Sequence, residues 1–168
     1  MGKSILSSHD PNPRSLTRYR VSFHAYNIGH LSSRASEPLF TPCTPAGCIK
    51  LLDHAGVPIA GSNAVVLGRS DIVGSPVAAM LRSRDATVTQ CHSRTKNLPE
   101  LVSIEPLCKS GSLADPLSQV KQADIVVSAI GKPQFVQGSW LKPGAVVIDV
   151  GTNYIPGKSL GISPMLLC

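Results

Sequence analysis

The sequence predicts an α/β protein with a doubly wound parallel sheet, on three observations. Asp124–Ile130 (DIVVSAI) and Ala145–Val150 (AVVIDV) are nearly continuous apolar runs, the pattern of strands buried on both faces of a parallel sheet. Asn63–Pro76 (NAVVLGRSDIVGSP) passes from an apolar, strand-like segment through a glycine turn into a helical period. Strand-like and helix-like segments alternate along the chain, as the layers of an α/β fold require.

In chain order, residues 1–35 are expected to form a disordered leader, with a targeting segment as the alternative. The basic residues Lys3, Arg14, Arg18, Arg20 and Arg34 meet only one acid, Asp10, among many serines, which is also a transit-peptide composition. Met1 and Gly2 do not open a myristoylation signal, because Leu6 stands where Ser or Thr is needed. Order is expected from about Phe40, within a domain spanning 36–156. Thr44 reads as a helix cap, Pro45 as the first helical residue and Gly56 as the terminator, with Cys48, Ile49 and Leu52 near one face. A strand at Ala64–Leu67 follows, then a helix from about Gly74 to Arg82 that repeats Val77, Ala78 and Leu81, then a strand at Ala86–Gln90. Residues 102–119 contain Pro106, Gly111 and Pro116 and no sustained period, so they read as a loop insertion. Without them, NLPELVKQADIVVSAIG reads as a short helix feeding the strand Asp124–Ile130. Residues 157–168 are expected to be a tail foreign to the domain.

At 168 residues the chain has room for one core, and a second substrate domain does not fit beside it. Sixteen Lys and Arg against ten Asp and Glu give a formal charge of +6, but the basic residues are scattered and only 4% of residues are aromatic. A nucleic-acid stacking surface is therefore not expected, and a small anion is the better partner. The cysteines Cys43, Cys48, Cys91, Cys108 and Cys168 are odd in number and form no Cys-x-x-Cys pair, which argues against a disulfide framework or a metal site and for a reducing compartment. No apolar run reaches the roughly 20 residues that span a bilayer, so the chain reads as soluble with no membrane partner.

The glycine turn carries the first chemical suggestion. A strand that ends in glycine and turns into a helix offers backbone N–H groups and the positive end of a helix dipole to a phosphate. Gly68 and Gly74 suit that use, because a residue without a Cβ turns tightly and admits a close ligand. The turn lacks Gly-x-Gly, and no Lys-Ser/Thr follows as a P-loop requires. Glycines at such junctions also serve as plain turn residues. The end of the second strand favours a ligand: where an NAD site places an acid about 20 residues past the turn, this chain has Ser93, Arg94 and Thr95. Two hydroxyls and a guanidinium suit a 2′-phosphate better than a diol. With Arg69 and Ser70 this points to NADP over NAD, while His92 alone reads as a packed surface histidine. Gly131 in AIGKP and Gly151 in DVGTN end the later strands at glycines, at the sheet edge where such folds hold ligands.

PCTPAG at Pro42–Gly47, GRSDIVGSP at Gly68–Pro76, CHSRTKN at Cys91–Asn97 and GSWLKPGAVVIDVGTNYIP at Gly138–Pro156 occur in the order found in one family. The chain resembles the Rossmann-like NAD(P)-binding domain of bifunctional methylenetetrahydrofolate dehydrogenase/methenyltetrahydrofolate cyclohydrolase, over about Asn27 to Pro156 apart from the insertion. The resemblance implies oxidation of 5,10-methylenetetrahydrofolate with NADP and hydrolysis of the methenyl product, in a cleft between two α/β domains. It assigns Gly68, Arg69 and Ser70 to the cofactor phosphates, Ser93 and Arg94 to the 2′-phosphate, and Thr152 to the nicotinamide end. It also implies tetrahydrofolate derivatives as substrates, a homodimer, and a cytoplasmic or alternatively mitochondrial location.

The chain departs from that family at three seams. The resemblance puts the family's catalytic lysine in a Tyr-x-x-x-Lys motif of an amino-terminal domain, and no such domain is expected before Asn27. Val21, Ser22 and Phe23 stand where the family has Asp-Gly-Phe, whose aspartate holds the pterin. After GTNYIP the chain runs into GKSLGISPMLLC, without the Val-Gly-Asp and Pro-Val-Pro-Gly-Gly elements. These departures give the alternative expectation of an incomplete domain that binds NADP and is catalytically dead.

Overall fold

The computed structural model describes residues 22–33, 37–92, 116–132, 134–151 and 166–167. Among the described residues, four helices and five strands follow one another: α1 Ala25–Ser33, α2 Cys43–His54, β1 Asn63–Leu67, α3 Gly74–Ser83, β2 Thr87–Cys91, α4 Pro116–Gln122, β3 Ile125–Ser128, β4 Val146–Asp149 and β5 Leu166–Leu167. A 3-10 turn at Gly138–Trp140 precedes β4. The sheet order is β2-β1-β3-β4-β5, with parallel pairing through β4 and an antiparallel β5 at the edge.

The sheet is central because its strands are apolar on both faces, and alternate side chains supply two separate cores. Ala64 and Val66 of β1, Ile125 and Val127 of β3, and Val146 and Ile148 of β4 pack under α2 and α3, against Cys48, Ile49, Leu52, Val77, Ala78 and Leu81. Val65, Leu67, Val126 and Val147 face the other way, against Val120 of α4, Ala123 and Trp140. Leu52, Leu67, Leu81 and Ile125 are fully buried. Each contributes about 1.5–3 kcal/mol relative to an exposed position. Burial pushes the Cys48 thiol up to about 11, so it is a protonated core residue.

Local signals explain the helix ends. The Gly56 amide donates to the Asp53 carbonyl at 3.1 Å and the Val57 amide to the Leu52 carbonyl at 3.0 Å, with Gly56 at φ +67°. This is a Schellman closure, and glycine enters its left-handed position without steric cost. At the other end of α2 the expectation is corrected: the cap is Pro42 with φ −56° and ψ 130°, no side chain caps the helix, and Thr44 lies one residue inside its start. Pro45 therefore sits within the first turn, where a missing N–H still removes no helix bond.

Other expectations also change. The absence of ordered structure before Phe40 is corrected by α1, whose Leu31 and Asn27 are buried and which packs on α3. Asn27 is held by its Oδ1, which accepts the Phe40 amide at 3.2 Å. The proposed insertion 102–119 meets a helix at its end, where Pro116 opens α4 and Leu117 packs against the second core; 102–115 lie outside the described residues. The idea of a wholly foreign 157–168 meets β5, which pairs Leu167 with Val146 and Leu166 with Val147. The strands are also shorter or shifted: β2 runs one residue later than Ala86–Gln90, and β3 and β4 occupy the centres of the apolar runs.

Candidate functional site

After β1 the chain moves to β2 on one side, and β3 returns to the other side of β1. The carboxyl ends of β1 and β3 therefore flank a topological switch point, where open α/β sheets hold ligands. Three close approaches draw that edge together. Gly68 has φ +128°, and a Cβ built there would lie 2.7 Å from the Ala129 carbonyl oxygen. A Cβ on Gly74 would lie 2.5 Å from the Gly68 oxygen, and one on Gly151 would lie 2.8 Å from the Gly131 nitrogen. Gly131 itself has φ +72°. These contacts are with backbone, which cannot move aside as a flexible side chain would, so the glycines are required by the turn itself.

Hydrogen bonds hold the turn in register. The Gly68 amide donates to the Cys91 carbonyl at 2.8 Å and the Ala129 amide to the Leu67 carbonyl at 2.7 Å. Ser70 Oγ accepts the amides of Val73 at 3.2 Å and Gly74 at 3.3 Å. The Gly74 amide is thus already used by the helix start, and Gly74 acts through close packing. Arg69 is exposed beside this turn, and Ile72 is 57% exposed. On the β4 side, the Gly151 amide donates to Asp149 Oδ1 at 2.9 Å and the Val150 amide to the Ser128 carbonyl at 2.9 Å.

The structure brings Gly68, Arg69, Ser70, Gly74 and Gly131 to this one edge, with His92 half-buried just after β2. Ser93, Arg94, Thr95 and Thr152 lie outside the described residues. Sequence reasoning missed Gln90. Its Nε2 donates to the Gly68 carbonyl at 3.0 Å and to Ser75 Oγ at 3.4 Å. The available signal was a long amide near the end of an otherwise short-chained, half-buried strand.

An open cavity of about 450 Å³ lies at the opposite, amino edge of the sheet, bordered by Val57, Ser62, Asp124, Gly144 and Val146. Its carboxylate is engaged: Asp124 Oδ2 accepts the Asn63 amide at 2.8 Å and Oδ1 accepts Lys142 Nζ. The Lys142 ammonium first, then the Asn63 amide, hold Asp124 below the usual carboxylate range. The glycine-lined carboxyl edge offers the better match to an anionic ligand than this hollow. Among the described residues, no three His, Cys, Asp or Glu side chains cluster as a metal site.

Switch point, glycine turn and strand order define a dinucleotide-binding domain of Rossmann type. The tetrahydrofolate dehydrogenase/cyclohydrolase NAD(P)-binding domain matches residues 42–109 and 106–162. The chain belongs to that family. The match ends at residue 162, and its two stretches meet inside 102–119. Mitochondrial C-1-tetrahydrofolate synthase of Saccharomyces cerevisiae is 52% identical over 137 residues, covering 82% of this chain and 12% of that protein. The bifunctional FolD structure from Campylobacter jejuni superposes with a TM-score of 0.68 at 33% identity, covering 83% of this chain and 43% of that one. The Trypanosoma brucei methylenetetrahydrofolate dehydrogenase-cyclohydrolase, solved with NADP cofactor and inhibitor, gives a TM-score of 0.65 at 39% identity and covers 88% and 44%. The chain spans less than half the length of these relatives.

Tyr154 and Lys158 have the Tyr-x-x-x-Lys spacing, but they follow β4 and lie outside the described residues.

Proposed function

We propose that the chain supplies the NADP-binding half of a methylenetetrahydrofolate dehydrogenase/methenyltetrahydrofolate cyclohydrolase. The observation that carries this reading is the glycine-tightened carboxyl edge at the β1–β3 switch point, in a chain that matches the family's NAD(P)-binding domain. Bound there, the cofactor would supply a hydride acceptor for the folate methylene. This chain's part is to hold it: Gly68, Arg69, Ser70 and Gly74 form the turn beneath the phosphates, while Ser93, Arg94 and Thr95 follow β2 toward the 2′-phosphate. Gly131 and Thr152 belong to the nicotinamide side. The match to an NAD(P)-binding domain and the NADP of the Trypanosoma brucei structure support this assignment.

Tetrahydrofolate derivatives and a second copy of the chain are the partners in this proposal, with no nucleic acid and no membrane. The location is cytoplasmic or mitochondrial; relatives include mitochondrial and chloroplastic forms. No helix among the described residues is long and apolar enough to cross a membrane. Calorimetric titration of the purified chain with NADP and NAD tests the reading. Saturable binding with NADP preferred is the expected result, and no binding of either would overturn it. A parallel dehydrogenase assay separates an active enzyme from a chain that binds cofactor alone.

A further inference from the structure

We propose that Gln90 and Ser75 are positioning residues for the cofactor phosphates. Together they turn three consecutive carbonyls of the glycine turn inward, so that the amides of Arg69, Ser70 and Asp71 face the open edge of the sheet. This inference rests on the dinucleotide reading above and adds to it two side chains that need not touch the ligand.

The geometry is a short chain of bonds. Gln90 Nε2 donates to the Gly68 carbonyl at 3.0 Å and to Ser75 Oγ at 3.4 Å. Ser75 Oγ donates to the Arg69 carbonyl at 3.3 Å, and the Ser75 amide donates to the Ser70 carbonyl at 3.0 Å. Carbonyls 68, 69 and 70 are therefore all directed toward Ser75 and Gln90. In a planar trans peptide the C=O and the following N–H point in opposite directions. Fixing those three carbonyls thus fixes the amides of Arg69, Ser70 and Asp71 on the other side of the turn. Among the described residues, none of these three amides meets a protein acceptor. A row of successive outward N–H groups is an anion-binding concavity.

Counting donors decides what the two side chains do. A Gln amide has two N–H groups and a Ser hydroxyl has one hydrogen. Both Gln90 hydrogens are used, on Gly68 and Ser75, and the Ser75 hydrogen is used on Arg69. Neither side chain keeps a donor for a phosphate, so both act through the turn. Gln90 is well placed for this, since it pairs with Val66 across β2 and β1 and is half-buried. The benefit is preorganisation: the amides are aimed before the ligand arrives, which lowers the ordering cost of binding.

The test uses the full chain with Gln90→Leu, which keeps much of the reach and removes the donors. NADP and NAD share the pyrophosphate, so both are expected to weaken by the same factor, about fivefold to tenfold. Ser75→Ala should act in the same direction, and Ser75→Thr, which keeps the hydroxyl, should bind like the unaltered chain. Unchanged affinity in a Gln90→Leu chain that still melts cooperatively would overturn the brace. So would a loss confined to NADP, which would put Gln90 against the 2′-phosphate. Should Gln90→Leu fail to fold, amide NMR of the unaltered chain titrated with inorganic pyrophosphate decides. Shifts at Arg69, Ser70 and Asp71 are expected, and shifts confined elsewhere would overturn the proposal. If the unaltered chain binds neither dinucleotide, the cofactor reading fails and the brace with it; intact binding with an indifferent Gln90 sinks the brace alone.

Discussion

Gly74 lies so close to Gly68 that a Cβ on it would stand 2.5 Å from the Gly68 carbonyl oxygen and 2.7 Å from the carbon. The helix α3 therefore begins in contact with the turn that precedes it. Two effects oppose each other in Gly74→Ala. Alanine is favoured over glycine in a helix by about 1 kcal/mol, partly through a less flexible unfolded chain. Pushing backbone apart costs about 1–3 kcal/mol. The contact is with peptide atoms on a turn already fixed by Ser70 and Gln90, so the overpacking is expected to win. Gly74→Ala should lower the melting temperature and weaken NADP; a variant that melts at or above the unaltered chain would show that the turn yields freely.

At the opposite edge, Asp124 is tied to β1 through the Asn63 amide and to Lys142, which lies ahead of β4. Its carboxyl is held below the ordinary carboxylate range, by the Lys142 hydrogen bond first. For a carboxyl lowered on folding, the stabilisation is complete above the unfolded value and is lost as pH falls through the folded one. The side chains of Lys142 and Asp124 are 36% and 41% exposed, so solvent screens most of the pairing. Asp124→Asn should then destabilise by no more than about 1 kcal/mol at neutral pH, and less in high salt. The gap should close in acid. Urea titrations on both sides of the carboxyl range measure this, and a gap independent of pH would assign the effect to packing.

How much of this was legible in the sequence varied with how local the cause was. β1, β3 and β4 were readable because burial on both faces leaves continuous apolar runs, and Gly56 because a helix end needs a residue at positive φ. α1 was not, since AYNIGHLSS has a central glycine and weak helix formers, and its order comes from packing on α3 and from the Asn27–Phe40 bond. Pro116 was read as a breaker although proline is well suited to a first helical position, where α4 uses it. Within the site, the glycines announced themselves but Gln90 did not. Its role depends on β2 lying beside β1, which no spacing along the chain reveals.

Cofactor choice gives a sharper prediction, carried by Arg94. If its guanidinium meets the 2′-phosphate, Arg94→Ala removes a charge-assisted pair worth about 1.5–3 kcal/mol from NADP and nothing comparable from NAD. Preference for NADP should fall about tenfold or more. Titrating both dinucleotides measures it. Equal loss for the two would move Arg94 to the pyrophosphate or to the fold. This outcome is opposite in kind to that expected of Gln90→Leu, so the pair of variants separates the two phosphate subsites.

The last prediction concerns turnover by the purified 168-residue chain. Its matched stretches, 42–109 and 106–162, are those of the NAD(P)-binding domain, and the resemblance described above puts the acid–base lysine in a different domain. Loss of one positioned acid–base group typically costs about 10²–10⁴-fold even when the remainder of a site survives. The resemblance further sets Val21 where an aspartate that holds the pterin is expected. Cofactor binding has no such dependence, since the glycine turn, Gln90 and the end of β2 all lie within one strand–helix–strand unit. The chain alone is therefore expected to bind NADP and to show no oxidation of methylenetetrahydrofolate above a control without enzyme. Absorbance of the reduced cofactor and of the methenyl product follows the reaction directly. Turnover within about tenfold of a two-domain relative, well inside the loss expected for even one such group, would mean that residues of this chain supply the missing acid–base chemistry, with Lys158 the first to replace.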